Sequence, residues 1–477
     1  MKKKYFLFAL LAGLLVFSCK RPPETNLLVQ EDITYFQNVF ENGYVFYDEI
    51  YKKKPFEFNS KKLFKDYKKH EKFNKSGNHE NGINQDALTF TLGDFMLNLN
   101  PEDNHLCIQT KDKTWIISMT SCVYSSEFCF EKRDESFFLT ESPDPNLLGK
   151  KYTGNADDLK KTVIDNKETY IYAPSFFDYN REKWILSLDG KKMKIHIKMV
   201  DSFFDDSCLI QSEETDDSLY VRCGTFDINE NSEEEYLFLS ELEKISKKAD
   251  SKKFIILDLR KNNGGYVYYP MRLVASIYGV WGNKFVRYKL QEFLAQANYG
   301  VIRLDSEILA KERYYAAIKE NKESDIIESA KKNYEDLKGK EKKLVKDKNM
   351  CPIVLPQWEN NTLDAKIIVL TDCYTSSSAE ICINFLYMMD KNNVILVGQN
   401  TSGTVAGGNA VGYELPNSKL KIWLSSVSHR NTLLFKCIPQ WKGENYGFCP
   451  DYWHIQGSIA DILVYLTGDN QLKDVIN

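Results

Sequence analysis

Residues 371–386, TDCYTSSSAEICINFL, set three consecutive serines, Ser376, Ser377 and Ser378, between an apolar run and a helical pattern. A hydroxyl at the head of a helix can cap it by accepting an orphan amide proton, and Glu380 suits the positive end of the helix dipole. A hydroxyl in the same place can also act as a nucleophile. That chemistry needs a base to take its proton, an acid to orient the base and amides to hold an oxyanion. The chain offers six histidines as bases: His70, His79, His105, His196, His429 and His454. A second turn, in FIILDLRKNNGG (residues 254–265), ends in Gly264 and Gly265. Paired glycines let backbone approach closely or take positive φ, and an amide exposed there can serve an oxyanion.

These turns need strands and helices to hold them. AKIIVL (365–370) reads as a buried strand, and Ala379, Cys382, Ile383, Leu386 and Met389 recur at helical spacing after it. From about residue 205 strands alternate with helices, which implies parallel strands with covering helices: an α/β core over 205–465. Before it, 20–105 reads mainly helical, with Ile33, Phe36, Val39 and Phe40 on one face and Leu88, Leu92, Phe95, Met96 and Leu99 on another. Residues 106–204 carry short strand-like runs broken by Asp, Gly, Asn and Pro, so a compact β module is expected. A charge-dense stretch at about 288–350 interrupts the core and reads as one or two solvated helices.

The formal net charge of −4 supplies no excess of positive charge for nucleic acid. The start, MKKKYFLFALLAGLLVFSCK, joins three lysines to an apolar core too short to span a bilayer, so residues 1–19 read as an export signal. A small residue before Cys19 resembles a bacterial lipoprotein signal, which implies lipidation of Cys19, a membrane anchor, and a body in the periplasm or at the cell surface. Ten further cysteines permit disulfides in an exported protein. Cys208 with Cys223, and Cys437 with Cys449, flank turn-rich sequence and could pair; buried free thiols are the alternative. No spacing suits a zinc site, and no metal or organic cofactor is implied.

The two turns in this order resemble the serine peptidase family of the C-terminal processing (tail-specific) peptidases and the tricorn protease core, whose members carry a D-L-R-x-N-x-G-G type turn followed by a T-A-S-A-A-E type turn. VGQNTSGTVAGGNAVGYELPNSKLKIWL (397–424) and GENYGFCPDYW (443–453) extend the similarity. The resemblance implies a ClpP/crotonase-like α/β core, a polypeptide substrate, Ser377 as nucleophile, and the amides of Ser378 and Gly265, or alternatively Gly264, as the oxyanion hole. Processing peptidases place a lysine base where this chain has Thr404, and a neutral hydroxyl cannot serve as base near neutral pH. The tricorn-like branch is the nearer likeness. It implies His105, in LNPEDNHLCI, as base and Glu444 as the acid that orients it. Asp258 and Arg260 are expected to shape the glycine turn. LSLDGKK faintly echoes a PDZ strand, without a convincing carboxylate-binding glycine loop. A catalytically silent relative that binds peptides or a cell-envelope partner is the competing expectation.

Overall fold

A computed structural model describes residues 23–53, 55–56, 58–99, 103–116, 120–177, 182–200, 208–278, 302–346, 363–429 and 438–476. The leader with Cys19 lies outside them, as do Cys351 and Cys437. The expected α/β core is present. Six strands, β1 (Ile210–Glu214), β2 (Ser218–Cys223), β3 (Phe254–Asp258), β4 (Lys366–Thr371), β5 (Val394–Gly398) and β6 (Tyr452–Trp453), lie side by side in chain order. β1 pairs antiparallel with β2, and every later pair is parallel.

Period-two alternation explains why these strands read as unbroken apolar runs. Leu219, Val221, Ile255, Leu257, Ile367, Val369 and Leu396 face α1 (Glu233–Ala249), α2 (Tyr268–Ile277) and α3 (Ser378–Asp390). Their neighbours Tyr220, Ile256, Ile368, Leu370 and Val397 face Ile459, Ile462 and Leu463 of α4 (Ile459–Thr467). Both faces are therefore buried, and the sheet's open ground is at the carboxyl ends of its strands, where α/β sheets place their sites.

Four helices, Pro23–Gly43, Tyr47–Lys53, Ser60–Phe73 and Gln85–Leu99, precede the site region. Ile33, Phe36, Val39, Phe40, Leu88, Leu92 and Met96 are fully buried, as their spacing predicts. They share a core with Ile108, Tyr413, Ile422 and Leu424. The reason is a sheet that joins distant sequence: Cys107–Gln109 pairs antiparallel with Lys421–Leu424, Ile108 opposite Ile422. The rest of the middle region is β-rich, with its own cluster of Tyr124, Phe130, Leu139, Tyr172, Leu186 and Ile195.

Among the described residues, the charged insertion contains two helices, Glu307–Lys319 and Ser324–Leu337, and the second buries no residue. It also contains two strands that its composition did not suggest. Ile302–Asp305 pairs with Lys343–Lys346 and with Val427–Ser428, tying the base of the insertion to the core. Cys208, Cys223 and Cys449 form no disulfide, so the Cys208–Cys223 pairing does not occur; Cys223 is buried. Among the described residues no helix is long and apolar enough to cross a membrane.

Candidate active site

The two motif turns leave neighbouring parallel strands, so their backbones are adjacent from the start. The Leu259 amide continues the ladder onto Leu370 O at 3.0 Å. Beyond that point side chains take over. Asp372 Oδ1 accepts the amides of Lys261, Tyr374 and Thr375, each at 3.0 Å, and Thr375 Oγ1 donates to Leu259 O at 2.9 Å. Ser376 completes the stitching: its amide donates to Asn262 O at 2.9 Å and its hydroxyl to Asn263 O at 3.0 Å. Asp258 is locked by Arg260 Nε at 2.9 Å and by the Tyr220 hydroxyl at 2.7 Å, so the Asp-Leu-Arg residues shape the turn.

Ser377 stands at the corner. Its backbone has φ 53° and ψ −118°, and the Ala379 amide donates to Ser376 O at 3.0 Å. That is a type II′ turn with serine in a position normally given to glycine, a strained conformation of the kind found at functional sites. Opposite it, a Cβ on Gly264 would stand 2.8 Å from Ser377 Cβ and 2.9 Å from Ser378 N. Glycine is required there, at φ 93°, because only a bare backbone fits against the serine.

The amides around this corner divide clearly. Gly264 N donates to Asn262 Oδ1 at 2.9 Å. Gly265 sits in a parallel bridge with Phe226, in which the Phe226 amide donates to Gly264 O and the Tyr266 amide to Phe226 O. That pattern uses the groups on either side of Gly265 and leaves its own N–H pointing away. The Ser377 amide is held by Glu380 Oε2 at 3.1 Å, whereas the Ser378 amide, at the start of α3, has no backbone acceptor. Among the described residues no hydrogen-bond acceptor is seen for the amides of Gly265 and Ser378.

One loop, 401–405, gathers the remaining candidates. The Glu380 carboxylate, fully buried, accepts the Gly403 amide at 2.8 Å, the Thr404 amide at 2.7 Å and the Thr401 hydroxyl at 2.5 Å. Glu444 accepts the Val405 amide at 3.1 Å. Asn104, the residue before His105, donates to Gly403 O at 2.9 Å. Glu444 therefore meets this loop directly, and the segments bearing Ser377 and His105 meet it through Glu380 and Asn104.

His105 itself is half-buried, with Nδ1 3.8 Å from Asp103 Oδ1. Asp103 is fully buried and accepts the His105 amide at 3.1 Å, the Tyr44 hydroxyl at 2.9 Å and the Ser425 hydroxyl at 3.1 Å. It fixes the turn that presents the imidazole. Among the described residues no hydrogen bond joins the imidazole to Ser377 or to Glu444, and Nδ1 has no hydrogen-bond partner. Thr404, at the lysine position, spends its hydroxyl on Ser402 Oγ at 2.5 Å.

Burial dominates the electrostatics. It pushes the Glu380 carboxyl up to about 7 against the pull of its four donors. Burial likewise drives Glu444 well above the usual carboxylate range, and the nearby carboxylates of Glu380 and Asp103 add to the rise. Two residues at this site escaped the reading of the sequence: Asp103, whose signal was a carboxylate two positions before a histidine, and Glu380, which read as a helix-dipole partner only.

Comparison with known proteins agrees with this geometry. Residues 217–422 match the family model described as peptidase family S41. The match spans β2 to β5, both motif turns and the 401–405 loop, and carries a serine-peptidase type of function. No curated protein matches the chain. Solved structures similar to it include mature CPAF complexed with lactacystin (12% identity, 94% of this chain and 97% of that chain, TM-score 0.38). A photosystem II D1 C-terminal processing protease (12%, 90% and 92%, TM-score 0.31) and the tricorn protease (14%, 87% and 34%, TM-score 0.29) are also similar. At these scores the likeness adds nothing to the family match.

Proposed function

We propose that the protein is a serine endopeptidase whose nucleophile is Ser377, and that Cys19 carries a lipid anchor holding it to a bacterial envelope membrane. The observation that supports this most is the strained II′ corner at Ser377, set beside the unengaged amides of Gly265 and Ser378. In the proposed reaction Ser377 Oγ attacks a peptide carbonyl while His105 takes the hydroxyl proton. The carbonyl oxygen becomes an oxyanion between the Ser378 and Gly265 amides, aided by the start of α3. The intermediate collapses as His105 returns its proton to the leaving amine, and water then releases the acyl group by the same route. Glu444 is the acid assigned to orient the imidazole, and Asp103 places the turn beneath it.

A fluorophosphonate probe tests the reading. Labelling should vanish in Ser377→Ala and fall sharply in His105→Ala; folded protein that never labels would sink it. A second reading, a silent relative that binds peptides, draws on the imidazole having no hydrogen bond to Ser377 or Glu444. Peptide capture without labelling would favour it. The anchor is tested separately, since Cys19→Ala should release the protein from the membrane fraction.

A further inference from the structure

We infer that Glu380 is a positioning residue for Ser377, its ionised carboxylate fastening the nucleophile's own amide to the loop bordered by the His105 and Glu444 segments. The inference rests on the peptidase reading of Ser377.

Four groups surround the Glu380 carboxylate. Its four partners are the amides of Ser377, Gly403 and Thr404 and the hydroxyl of Thr401. Three are amides, which can only donate. The fourth, the Thr401 hydroxyl, already accepts the Phe448 amide at 2.7 Å and has one proton to give to Glu380. Four donors converge on two oxygens, and an acceptor with no proton of its own satisfies all four. A protonated carboxyl would have to turn its O–H onto Thr401 Oγ1 and displace that hydroxyl's own donation, and the amide of glutamine would turn an N–H against an amide donor.

The positions of those donors give the carboxylate its reach. Oε2 bridges Ser377 N and Thr404 N, and Oε1 bridges Gly403 N and the Thr401 hydroxyl. Gly403 O in turn receives Asn104 and the Asn445 amide, and the next amide, Val405, goes to Glu444. A shift of the carboxylate is therefore transmitted to the serine on one side and to the loop on the other. Glu444 and Asp103 are the titratable groups that raise the electrostatic stakes here, because the Glu444 carboxyl feels both Glu380 and Asp103. Among the described residues no cation is paired with Glu380. Burial pulls the group toward its neutral form, with a midpoint near 7, while its four donors pull toward the ionised form, so on mild acidification the donor bonds loosen locally even though the fold as a whole gains by shedding a buried charge.

The test uses the full chain and its Glu380→Gln variant, with two readouts. The first is the rate of fluorophosphonate labelling against pH. The second is amide hydrogen exchange, comparing the 401–404 loop with strand β4, whose protection reports a folded core. Misplacing reacting groups by about 1 Å costs on the order of 10²-fold in rate, which is the slowing expected for Glu380→Gln. Wild-type labelling should fall more steeply on the acid side than labelling of the variant, which lacks the Glu380 titration. Loop protection should be lost in the variant while β4 stays protected. Unchanged labelling and unchanged loop protection would overturn the inference. Should the variant not fold, wild-type exchange decides: 401–404 protection must fall between pH 8 and about 5.5, and a flat profile overturns the inference. Wild-type protein that never labels, yet shows the pH-dependent loop exchange, would refute the peptidase reading and leave the clamp standing.

Discussion

Replacing Ser377 in two ways separates its chemistry from its backbone. Ser377→Ala removes the hydroxyl and keeps a Cβ at φ 53°, ψ −118°. Ser377→Gly removes the hydroxyl and the Cβ together. Holding a non-glycine residue in so sparsely populated a region costs about 1–3 kcal/mol. Glycine loses about 0.5–1 kcal/mol more than alanine through unfolded-state entropy. The difference leaves Ser377→Gly about 1 kcal/mol more stable than Ser377→Ala, or about 2–4 °C in Tm for a domain of 150–250 residues. Both variants should be silent toward the probe, so activity cannot confound the comparison. Denaturant unfolding at equal m-value reads the difference directly. A glycine variant no more stable than the alanine variant would show that the corner stores no strain, and would remove the observation on which the functional proposal leans most.

Gly264→Ala should slow labelling on the order of 10²-fold, because a Cβ 2.8 Å from Ser377 Cβ must push the serine aside; full labelling in a folded variant would contradict this. Thr404→Ala should retain most labelling, since Thr404 contributes its amide rather than its hydroxyl to Glu380, and a loss matching Ser377→Ala would mean the base is misassigned. Asp258→Asn strands the Arg260 guanidinium without its buried partner, which should destabilise the fold by about 3–5 kcal/mol in denaturant melts; a loss below about 1 kcal/mol would show the pair to be expendable. Glu380 and Glu444 bind protons in the folded chain that they release when unfolded. Stability should therefore fall as pH rises from about 4.5 toward 7 and beyond, and Glu444→Gln should flatten that slope in Tm measurements; an unchanged slope would rule out the buried acids as its source.

The parts of this site visible in the sequence are those written in side chains close together. The serine turn and the glycine turn are each contiguous, and the family resemblance carried by both implied that they meet. The buried faces of the first and fourth helices followed from helical spacing. What stayed hidden depends on backbone groups from far away. Glu380 is one letter in a helix, and nothing in that letter says that two loop amides and a loop hydroxyl will join the Ser377 amide on it. The pairing of Cys107–Gln109 with Lys421–Leu424 joins segments of ordinary alternation, any two of which could have matched. The strands framing the insertion are four residues each, too short for periodicity to separate them from the charged sequence around them.

That long-range pairing has a consequence for the life of the chain. The segment bearing His105 comes to rest on residues synthesised some three hundred positions later, through Asn104 on Gly403 and Ile108 opposite Ile422. Contacts so remote in sequence close late, after the helical and parallel-strand units have formed locally. A nascent polypeptide thus holds the Ser377 hydroxyl and the His105 imidazole apart. Under the proposed mechanism, competence to cleave arrives only with that last docking event.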